Sequence, residues 1–456
     1  MTTTLYCARH VLPVSSDVIE DGAVAVRGER IVGVGAREEV ASKFPEARVR
    51  ELGGAALVPG LVNAHTHLEL TVMRGFLEDV EENFFAWLRK LTVARNEHMT
   101  EQDREDSSAW GAVEAARAGV TCVGDASDNA AAPLRALARA GLRGVVYQEV
   151  FGPDARAARE QFWKLHARVE ALRPAETERV RVGVSPHAPY TVSAPLIRLV
   201  TDFAIDQNLP VMMHAAESRA EEIFLREGFG PFADGLRARG IEWDAPGETT
   251  VRYLAGLGFL RARPLLAHCI RVDEDEIAIL KEAGAAVAHC PRSNAKLGHG
   301  RAPFAAMLRA GLDVGLGSDS VASNNVCDVL GEARYAALVA RTGWADDEGP
   351  PVSADQVLHA ATLGGARALG LGDVTGSLEE GKQADLVAVS LEGAHQTPVH
   401  DPSSALVFSS SGRDVRLTVV AGREVFDGER VTTVDERELR ARVEEVARRI
   451  SRVKVY

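Results

Sequence analysis

Short apolar segments that end on a histidine or an aspartate recur along this chain. In the first, Leu61–Val62 leads into His65-Thr66-His67. Residues i and i+2 of a strand share one face, so His65 and His67 are expected to project together and to bind one cation. An isolated pair of this kind is more often two hydrogen-bonded histidines. Later segments of the same type end on His214, His268, His289 and Asp319. Their recurrence favours a metal site at which several strands end.

The middle of the chain, residues 58–370, alternates apolar strands with helical stretches. Besides the strand before His65, the predicted strands cover residues 119–125, 144–150, 180–187, 211–214, 264–268, 285–289 and 314–319. Eight strands separated by helices predict an α/β fold, a (β/α)₈ TIM barrel whose active site gathers at the carboxyl ends of the strands.

The two ends of the chain are instead rich in short strands and tight turns. A hairpin is predicted over residues 22–34, and further strands over 386–389, 416–420 and 424–426. Strand-rich ends around an α/β middle predict a small β-sandwich built from both termini. The predicted domains are residues 1–57 with 371–435 for this composite sandwich, 58–370 for the barrel, and 436–456 for a C-terminal helix. The helical spacing of Leu439, Val443 and Val446 favours packing on the same chain over a dimer seam.

Composition narrows the class of partner. The net charge of −13 argues against nucleic acid or an anionic membrane as the principal partner. No apolar run approaches the length of a membrane span, and the start MTTTLYCARHVLPV lacks the features of a secretory signal. Five scattered cysteines without a CxxC pattern suit reduced thiols in a cytoplasm. A small-molecule substrate is expected, and a homo-oligomer remains open.

Seven segments carry a resemblance to a known family. They read PGLVNAHTHLE, SPHAPYTVS, HAAES, LAHC, HCPRSNAKLGHG, GLGSDSVASNN and GSLEEGKQADLV, and they span most of the 456 residues. The chain resembles the metal-dependent amidohydrolase superfamily, in the branch of cyclic-amidine deaminases and s-triazine chlorohydrolases. Within that branch it is most similar to deaminases of S-adenosylhomocysteine, methylthioadenosine, aminodeoxyfutalosine or adenosine.

The resemblance implies a set of metal ligands. These are His65, His67, His214 and Asp319, a set that suits one catalytic Zn²⁺, with Fe²⁺ or Mn²⁺ as alternatives. Binuclear relatives place a carboxylated lysine at the end of the fourth strand, where this chain has His187. One divalent metal ion is therefore expected.

The implied reaction is hydrolytic release of ammonia, by attack of a metal-activated hydroxide on an aminopurine nucleoside. Asp319 and His268 are expected to receive or orient the proton of the water. Glu217, three residues beyond His214, is expected to protonate the ring nitrogen beside the attacked carbon. The alternative for Glu217 is a surface carboxylate at the start of a helix.

Five side chains are expected to contact the substrate: His187, Trp87, Arg292, Arg143 and Arg156. For His187 the alternative is a supporting role behind the metal. Trp87 belongs to the segment that forms a lid in relatives, and it would cover a purine or pack the lid helix. The arginines would pair with a substrate tail or carboxylate, or remain solvated.

Two positions depart from the family pattern. Deaminases of S-adenosylhomocysteine hold ribose hydroxyls with a lid glutamate, where this chain has Asn96 followed by Glu97. Glu69 stands where those relatives have a small or apolar residue. Both departures favour aminodeoxyfutalosine, or a substrate outside the nucleosides. The open alternatives are an amidohydrolase that deaminates or dechlorinates an s-triazine, guanine or a pyrimidine, and a non-catalytic binding protein on the same fold.

Overall fold

The computed structural model of this protein describes residues 2–342 and 350–453. Its strands are β1 Thr3–Val11, β2 Ile19–Arg27, β3 Arg30–Ala36, β4 Arg48–Glu51, β5 Ala55–Pro59, β6 Leu61–Thr66, β7 Val120–Ser127, β8 Arg143–Val150, β9 Val180–Pro186, β10 Met212–Ala215, β11 Leu265–His268, β12 Ala286–His289, β13 Asp313–Leu316, β14 Leu386–Ser390, β15 Val415–Val420 and β16 Arg423–Phe426. Parts of two predicted domains lie outside the described residues, namely 343–349 of the barrel and 454–456 of the C-terminal helix, as does residue 1.

Helices separate most of the central strands. The α-helices are α1 Arg37–Lys43, α2 Phe84–His98, α3 Glu101–Arg117, α4 Ala131–Ala140, α5 Ala158–Leu172, α6 Ala194–Gln207, α7 Arg219–Glu227, α8 Pro231–Ala238, α9 Thr250–Gly256, α10 Glu274–Ala283, α11 Pro291–Lys296, α12 Phe304–Arg309, α13 Val321–Asn324, α14 Val329–Arg341, α15 Ala354–His359, α16 Gly365–Ala368, α17 Pro402–Ser404 and α18 Glu436–Ile450. Short 3₁₀ segments cover Leu68–Met73, Glu78–Val80, Ala155–Ala157, Arg173–Ala175, Phe259–Ala262 and Gly412–Asp414, and π turns cover Ala360–Gly364 and Ala405–Ser409.

The eight strands predicted for the middle of the chain are all present. They form two four-stranded parallel sheets, in the orders β6-β7-β8-β9 and β10-β11-β12-β13. Single parallel bridges, Val184 with Val211 and Thr66 with Asp319, connect the two sheets at their outer strands. The mixed α/β fold is as predicted.

Local sequence signals set the ends of several connecting helices. Thr100 caps α3 and exchanges hydrogen bonds with Asp103, and Asp273 does the same with Glu276 at the start of α10. Helix α10 ends where Gly284 takes a left-handed conformation with φ of +69°. A side chain disfavours that conformation, so glycine fits this helix end.

Strands from both ends of the chain meet in one mixed sheet of eight strands. Its order is β16-β15-β14-β5-β1-β2-β3, with β4 paired to β1. The predicted hairpin over 22–34 is present as the antiparallel pair β2–β3, and the strands predicted over 416–420 and 424–426 form the antiparallel pair β15–β16. Strands β5 and β14 join the two termini, with Leu57 opposite Ala388. Strands of both termini thus share one sheet, and the composite β-sandwich domain stays a prediction.

Helix α18 packs on its own chain. Its apolar side chains Leu439, Val443 and Ile450 are buried in the main core. Arg442 forms an ion pair of 3.0 Å with Asp106 of α3. Burial of this apolar face satisfies the helical pattern without a partner subunit. Among the described helices, none combines the length and the apolar character that crossing a bilayer requires.

Candidate active site

The predicted metal ligands lie at or just beyond the carboxyl ends of three strands. His65 is the second-last residue of β6, and His67 follows that strand directly. His214 lies in β10, and Asp319 follows β13 by three residues. The bridge between Thr66 and Asp319 brings β6 beside the end of β13, where the Asp319 N–H donates to the His65 carbonyl at 2.9 Å. Parallel strands thus gather four side chains that are distant in sequence.

The four side chains present their donor atoms to one point. The Nε2 atoms of His214 and His67 are 3.2 Å apart. Asp319 Oδ1 lies 3.4 Å from Nε2 of His65 and 3.5 Å from Nε2 of His67. Nε2 of His65 is buried and has no hydrogen-bond partner. Unpaired imidazole nitrogens beside a carboxylate oxygen are the donor set that a divalent cation such as Zn²⁺ takes, so the residues fit a metal.

Other hydrogen bonds orient these ligands. His214 Nδ1 donates to the His187 carbonyl at 2.9 Å, which leaves Nε2 facing the cluster. Asp319 Oδ2 accepts from the hydroxyls of Ser293 at 2.6 Å and Ser323 at 3.0 Å, which leaves Oδ1 free. Such supporting contacts fix the tautomer and direction of a metal ligand.

The protonation states also suit a cation. Burial lowers the pKa of His67 to about 3 and that of His214 well below its usual value, so both imidazoles are neutral. Burial opposes the ionised form of Asp319, but the neighbouring imidazole of His65 and the charge of His268 hold its pKa well below the usual range. The cluster therefore offers neutral nitrogens and one carboxylate, all with free lone pairs.

Two residues at the site, His268 and the predicted ligand Asp319, adopt uncommon backbone conformations. His268 has φ of +75° and Asp319 has φ of +55°, in the region that side chains disfavour. Such strain typically costs about 1–3 kcal/mol and persists where the surroundings enforce it. Here it directs both side chains into the space above the strand ends.

Glu217 and His268 form an acidic and basic pair beside the ligands. His268 Nε2 lies 3.6 Å from Glu217 Oε1, and its Nδ1 contacts Asn294 Oδ1 at 2.9 Å. Burial disfavours the imidazolium, but the carboxylates of Glu217 and Asp319 outweigh it and raise the pKa of His268. Glu217 is only 5% exposed, so it is not the surface carboxylate that the sequence left as an alternative.

A cavity lies above the cluster, and helix α2 forms one wall of it. The α2 side chains that line it are Phe84, Trp87, Leu88, Leu91 and Arg95. Their spacing places them on one face of the helix. The other lining residues are His67, Leu70, Glu149, His187, Tyr190, His214, Glu217, His268, Leu297, Asp319 and Ser320. Two predicted substrate-contact residues, Trp87 and His187, are thus at the cavity.

Arg143 is placed far from the cavity. It is the first residue of β8, whereas the cavity is at the carboxyl ends of the strands. Its guanidinium is buried and donates to both carboxylate oxygens of Asp385, at 2.8 and 3.3 Å. Because its guanidinium is taken up by this internal partner, the structure does not support substrate contact by Arg143. The sequence did not reveal the partner.

Arg156 and Arg292 do not line the cavity either. Arg156 is exposed and pairs with Asp154 at 2.8 Å. Arg292 lies 3.8 Å from the buried carboxylate of Glu332, which also accepts its backbone N–H at 3.2 Å. Substrate contact by these two arginines is not supported, because nearby carboxylates hold them elsewhere.

Sequence reasoning missed two charged residues of the cavity, Glu149 and Arg95. Glu149 lies near the carboxyl end of β8, where the strand-end rule that found His65 would also have found it. Arg95 shares the cavity face of α2, whereas its neighbours Asn96 and Glu97 are exposed. The lid position at Asn96 therefore does not reach the cavity in this chain.

Glu69 is buried in a polar cluster beside Arg95. Its Oε1 accepts the N–H of Asp128 at 3.1 Å and lies 3.7 Å from Arg95. Its Oε2 lies 3.8 Å from Arg104. The unusual glutamate after the two histidines thus holds the arginine that lines the cavity.

The sequence matches the model of the Amidohydrolase family over residues 56–425. An Imidazolonepropionase-like composite domain of bacteria matches residues 22–47. The chain is 36% identical over 440 residues to a 5-methylthioadenosine/S-adenosylhomocysteine deaminase of Nitratidesulfovibrio vulgaris, covering 94% of this chain and 93% of the relative. It is 34% identical to the deaminase of the same description from Symbiobacterium thermophilum, covering 97% and 98%.

A solved structure of similar fold is an adenosine deaminase from Xanthomonas campestris with bound zinc. It superposes with a TM-score of 0.88 at 32% identity and covers 99% of both chains. The family match extends over most of the chain, and relatives above 30% identity are covered almost completely. This chain therefore belongs to the amidohydrolase family.

Proposed function

We propose that this protein is a metal-dependent hydrolytic deaminase that releases ammonia from an aminopurine nucleoside. The observation that carries the proposal is the buried pair of Glu217 and His268, 3.6 Å apart, beside a four-ligand cluster at a cavity. The descriptions of the relatives as deaminases support the same reaction. The candidate substrates are aminodeoxyfutalosine, S-adenosylhomocysteine, methylthioadenosine and adenosine.

His65, His67, His214 and Asp319 would hold the cation. We propose a single ion, and the zinc in the Xanthomonas campestris structure supports zinc over iron or manganese. When bound, such a cation acidifies water and stabilises negative charge at the attacked carbon. His187 stands where a binuclear centre would need a lysine. Its Nδ1 lies 2.8 Å from the hydroxyl of Thr191.

Three side chains at the site hold or transfer the protons of the proposed reaction. Asp319 Oδ1 and His268 Nε2 face the same space. We assign to Asp319 the proton of the attacking water, which it passes on to the leaving amine, and to His268, which its raised pKa keeps charged, the orientation of that water. Glu217 in its protonated form donates to the ring nitrogen next to the attacked carbon, which converts the aromatic amidine into a centre that can expel ammonia. It recovers a proton from the new hydroxyl as the carbonyl forms and ammonia leaves. The raised pKa of His268 favours the charged form that stabilises the developing negative charge.

The overall architecture that accompanies this function is also a proposal. The two bridges between the parallel sheets support a closed (β/α)₈ barrel over residues 58–370. A β-sandwich over residues 1–57 and 371–435, a separate C-terminal helix over 436–456 and a homo-oligomer remain predictions. Five free, buried cysteines support a reducing compartment such as the cytoplasm.

The proposal is tested by ammonia release from a panel of nucleosides, s-triazines, guanine and pyrimidines, with Glu217→Gln beside the wild type. Glutamine keeps the shape of glutamate but cannot cycle a proton. We expect the metal and fold to be retained while turnover falls about 10²-fold or more. The control Glu227→Gln makes the same change at an exposed site of α7.

Near-normal turnover by Glu217→Gln with metal retained would reject the deaminase mechanism. Ammonia or chloride released only from the triazines, guanine or the pyrimidines would instead support the other branch of the family. Absence of turnover on every compound by metal-loaded wild type would support a binding protein.

A further inference from the structure

Glu149 is a buried carboxyl group that faces the cavity without a partner. It is 2% exposed, and its Oε1 has no hydrogen bond. Across the described residues, no ion pair within 4.0 Å involves its carboxylate. A buried polar group without a partner is costly, so its position in a cavity wall points to a ligand.

Arg95 lies in the same cavity and is also incompletely paired. It is 8% exposed, and its guanidinium is 3.7 Å from Glu69 and 6.0 Å from the ring centre of Phe151. The charge of Arg95 acts on Glu149, but the two side chains do not form an ion pair. A donor and an acceptor therefore face the cavity with space between them.

The chemistry of this pair selects one kind of ligand group. A hydroxyl donates one hydrogen bond and accepts another, so it satisfies Glu149 and Arg95 together. A ligand carboxylate would suit Arg95 but would lie against the carboxyl groups of Glu69 and Glu149. A ligand ammonium would suit the two glutamates but would be repelled by Arg95. The pair therefore favours a neutral hydroxyl.

The distance from the metal ligands fits the sugar of a nucleoside. Ligand atoms of Glu149, His187 and His214 lie within 4.8 Å of one another, so Glu149 is adjacent to the metal cluster. A base whose reacting carbon lies at that cluster carries its sugar a few ångströms away. The lid residues Asn96 and Glu97 face solvent and do not reach this position.

We propose that Glu149 and Arg95 bind a ribose hydroxyl of the substrate and so determine specificity for ribonucleosides. This inference rests on the proposed deaminase function. In this chain, recognition of the ribose hydroxyls would thus lie at the carboxyl end of β8, and not on the lid segment that carries a glutamate in deaminases of S-adenosylhomocysteine.

The test compares kcat/KM for 5′-methylthioadenosine and its 2′,3′-dideoxy analogue in the wild type and in Glu149→Met. Methionine has a similar length and needs no hydrogen bond. A buried hydrogen bond to a charged group contributes about 1.5–3 kcal/mol, equivalent to about 10- to 150-fold. We expect the wild type to prefer the ribonucleoside by about that factor. Glu149→Met should lose most of the preference, so that its kcat/KM values for the two compounds differ by less than about threefold.

The control is Glu97→Gln on the solvent side of α2, which should retain the wild-type preference. An unchanged preference in Glu149→Met would overturn the inference while ammonia release still supported the proposed function. Failure of the wild type to release ammonia from any nucleoside would reject both. Metal analysis separates a further possibility, because loss of metal in Glu149→Met would make this carboxylate a metal ligand and would also overturn the inference.

Discussion

Strand β8 has a buried charged side chain at each end, and the two are in opposite situations. At the amino end, Arg143 donates two hydrogen bonds to Asp385, which precedes β14. At the carboxyl end, Glu149 has an oxygen without a partner. Both charges cost free energy to bury, but only the first is compensated within the protein. The comparison separates a structural contact from a group kept available for a ligand.

The same difference extends beyond β8. Asp385 accepts the N–H of Ala421 at 2.7 Å in addition to Arg143, so the contact ties the parallel strands to the sheet of the termini. Near the carboxyl ends, the buried atoms without partners include His65 Nε2, Glu149 Oε1 and His299 Nε2. These three unpaired groups lie near the cavity, where a metal and a substrate would complete them.

The largest expected effect follows from removing a ligand at the carboxyl ends. We expect His214→Ala to lose its metal and more than ~10²-fold in turnover, since loss of a supporting partner alone costs 10- to 100-fold. Elemental analysis and an ammonia assay measure the two effects. The exposed His98→Ala on α2 is the matched control. Full metal content in His214→Ala would contradict the ligand set.

A large loss of stability is expected when the charge at the amino end of β8 is removed. Arg143→Met leaves the buried Asp385 without its cation, and breaking a buried pair in this way costs about 3–5 kcal/mol of unfolding free energy. Urea denaturation measures it, and the double variant Arg143→Met with Asp385→Leu should recover part of the loss. Exposed Arg139→Met should change stability by less than about 0.5 kcal/mol. A similarly small effect of Arg143→Met would remove the basis of the comparison.

The buried carboxyl group of Glu332, which has protein partners, should make the stability of the fold depend on pH. Burial raises the pKa of Glu332 from 4.5 to about 8, although the hydrogen bond from Asn324 and the charge of Arg292 oppose this. The folded state therefore holds a proton that the unfolded state releases. The stability that this proton provides is complete below pH 4.5 and is lost as pH rises through about 8.

Glu332→Gln should reduce the fall in unfolding free energy between pH 5 and 8 by up to about 1.4 kcal/mol per pH unit. Urea denaturation at three pH values measures the slope. Asp125 and Glu221, whose pKa values burial raises to about 8 and 7, should leave a residual slope of the same sign. An unchanged slope would mean that Glu332 is ionised in the folded protein.

The smallest effect is expected for the stability of Glu149→Met. Because no described protein group donates to this carboxyl, the substitution breaks no hydrogen bond and removes a buried polar group. We expect the free energy of unfolding to change by less than about 1 kcal/mol, or to rise. Urea denaturation beside Arg143→Met gives the direct comparison. A loss above about 2 kcal/mol would show that Glu149 is a structural contact like Arg143.

Much of the site could be predicted because its signals are local. The strand before His65 and His67 is a continuous apolar run, and alternation along it fixes which side chains point together. Glu149 obeyed the same rule but was missed, since a glutamate near a strand end is common and carries no motif. The sequence did not reveal that Arg143, Arg156 and Arg292 lie outside the cavity lining, because an arginine that pairs with a substrate looks the same in sequence as one that pairs with a carboxylate of its own chain.

The sequence by itself determined the order of strands and helices, the hairpins of both termini and the residues that can bind a cation. These depend on periodicity, turn residues and donor chemistry over a few neighbouring positions. Only the tertiary structure decided which charges are paired. Asp385 lies 242 residues from Arg143, and Arg95 turns into the cavity while Asn96 turns away. Burial and partnership of a charge arise from contacts between distant segments, so no local pattern encodes them.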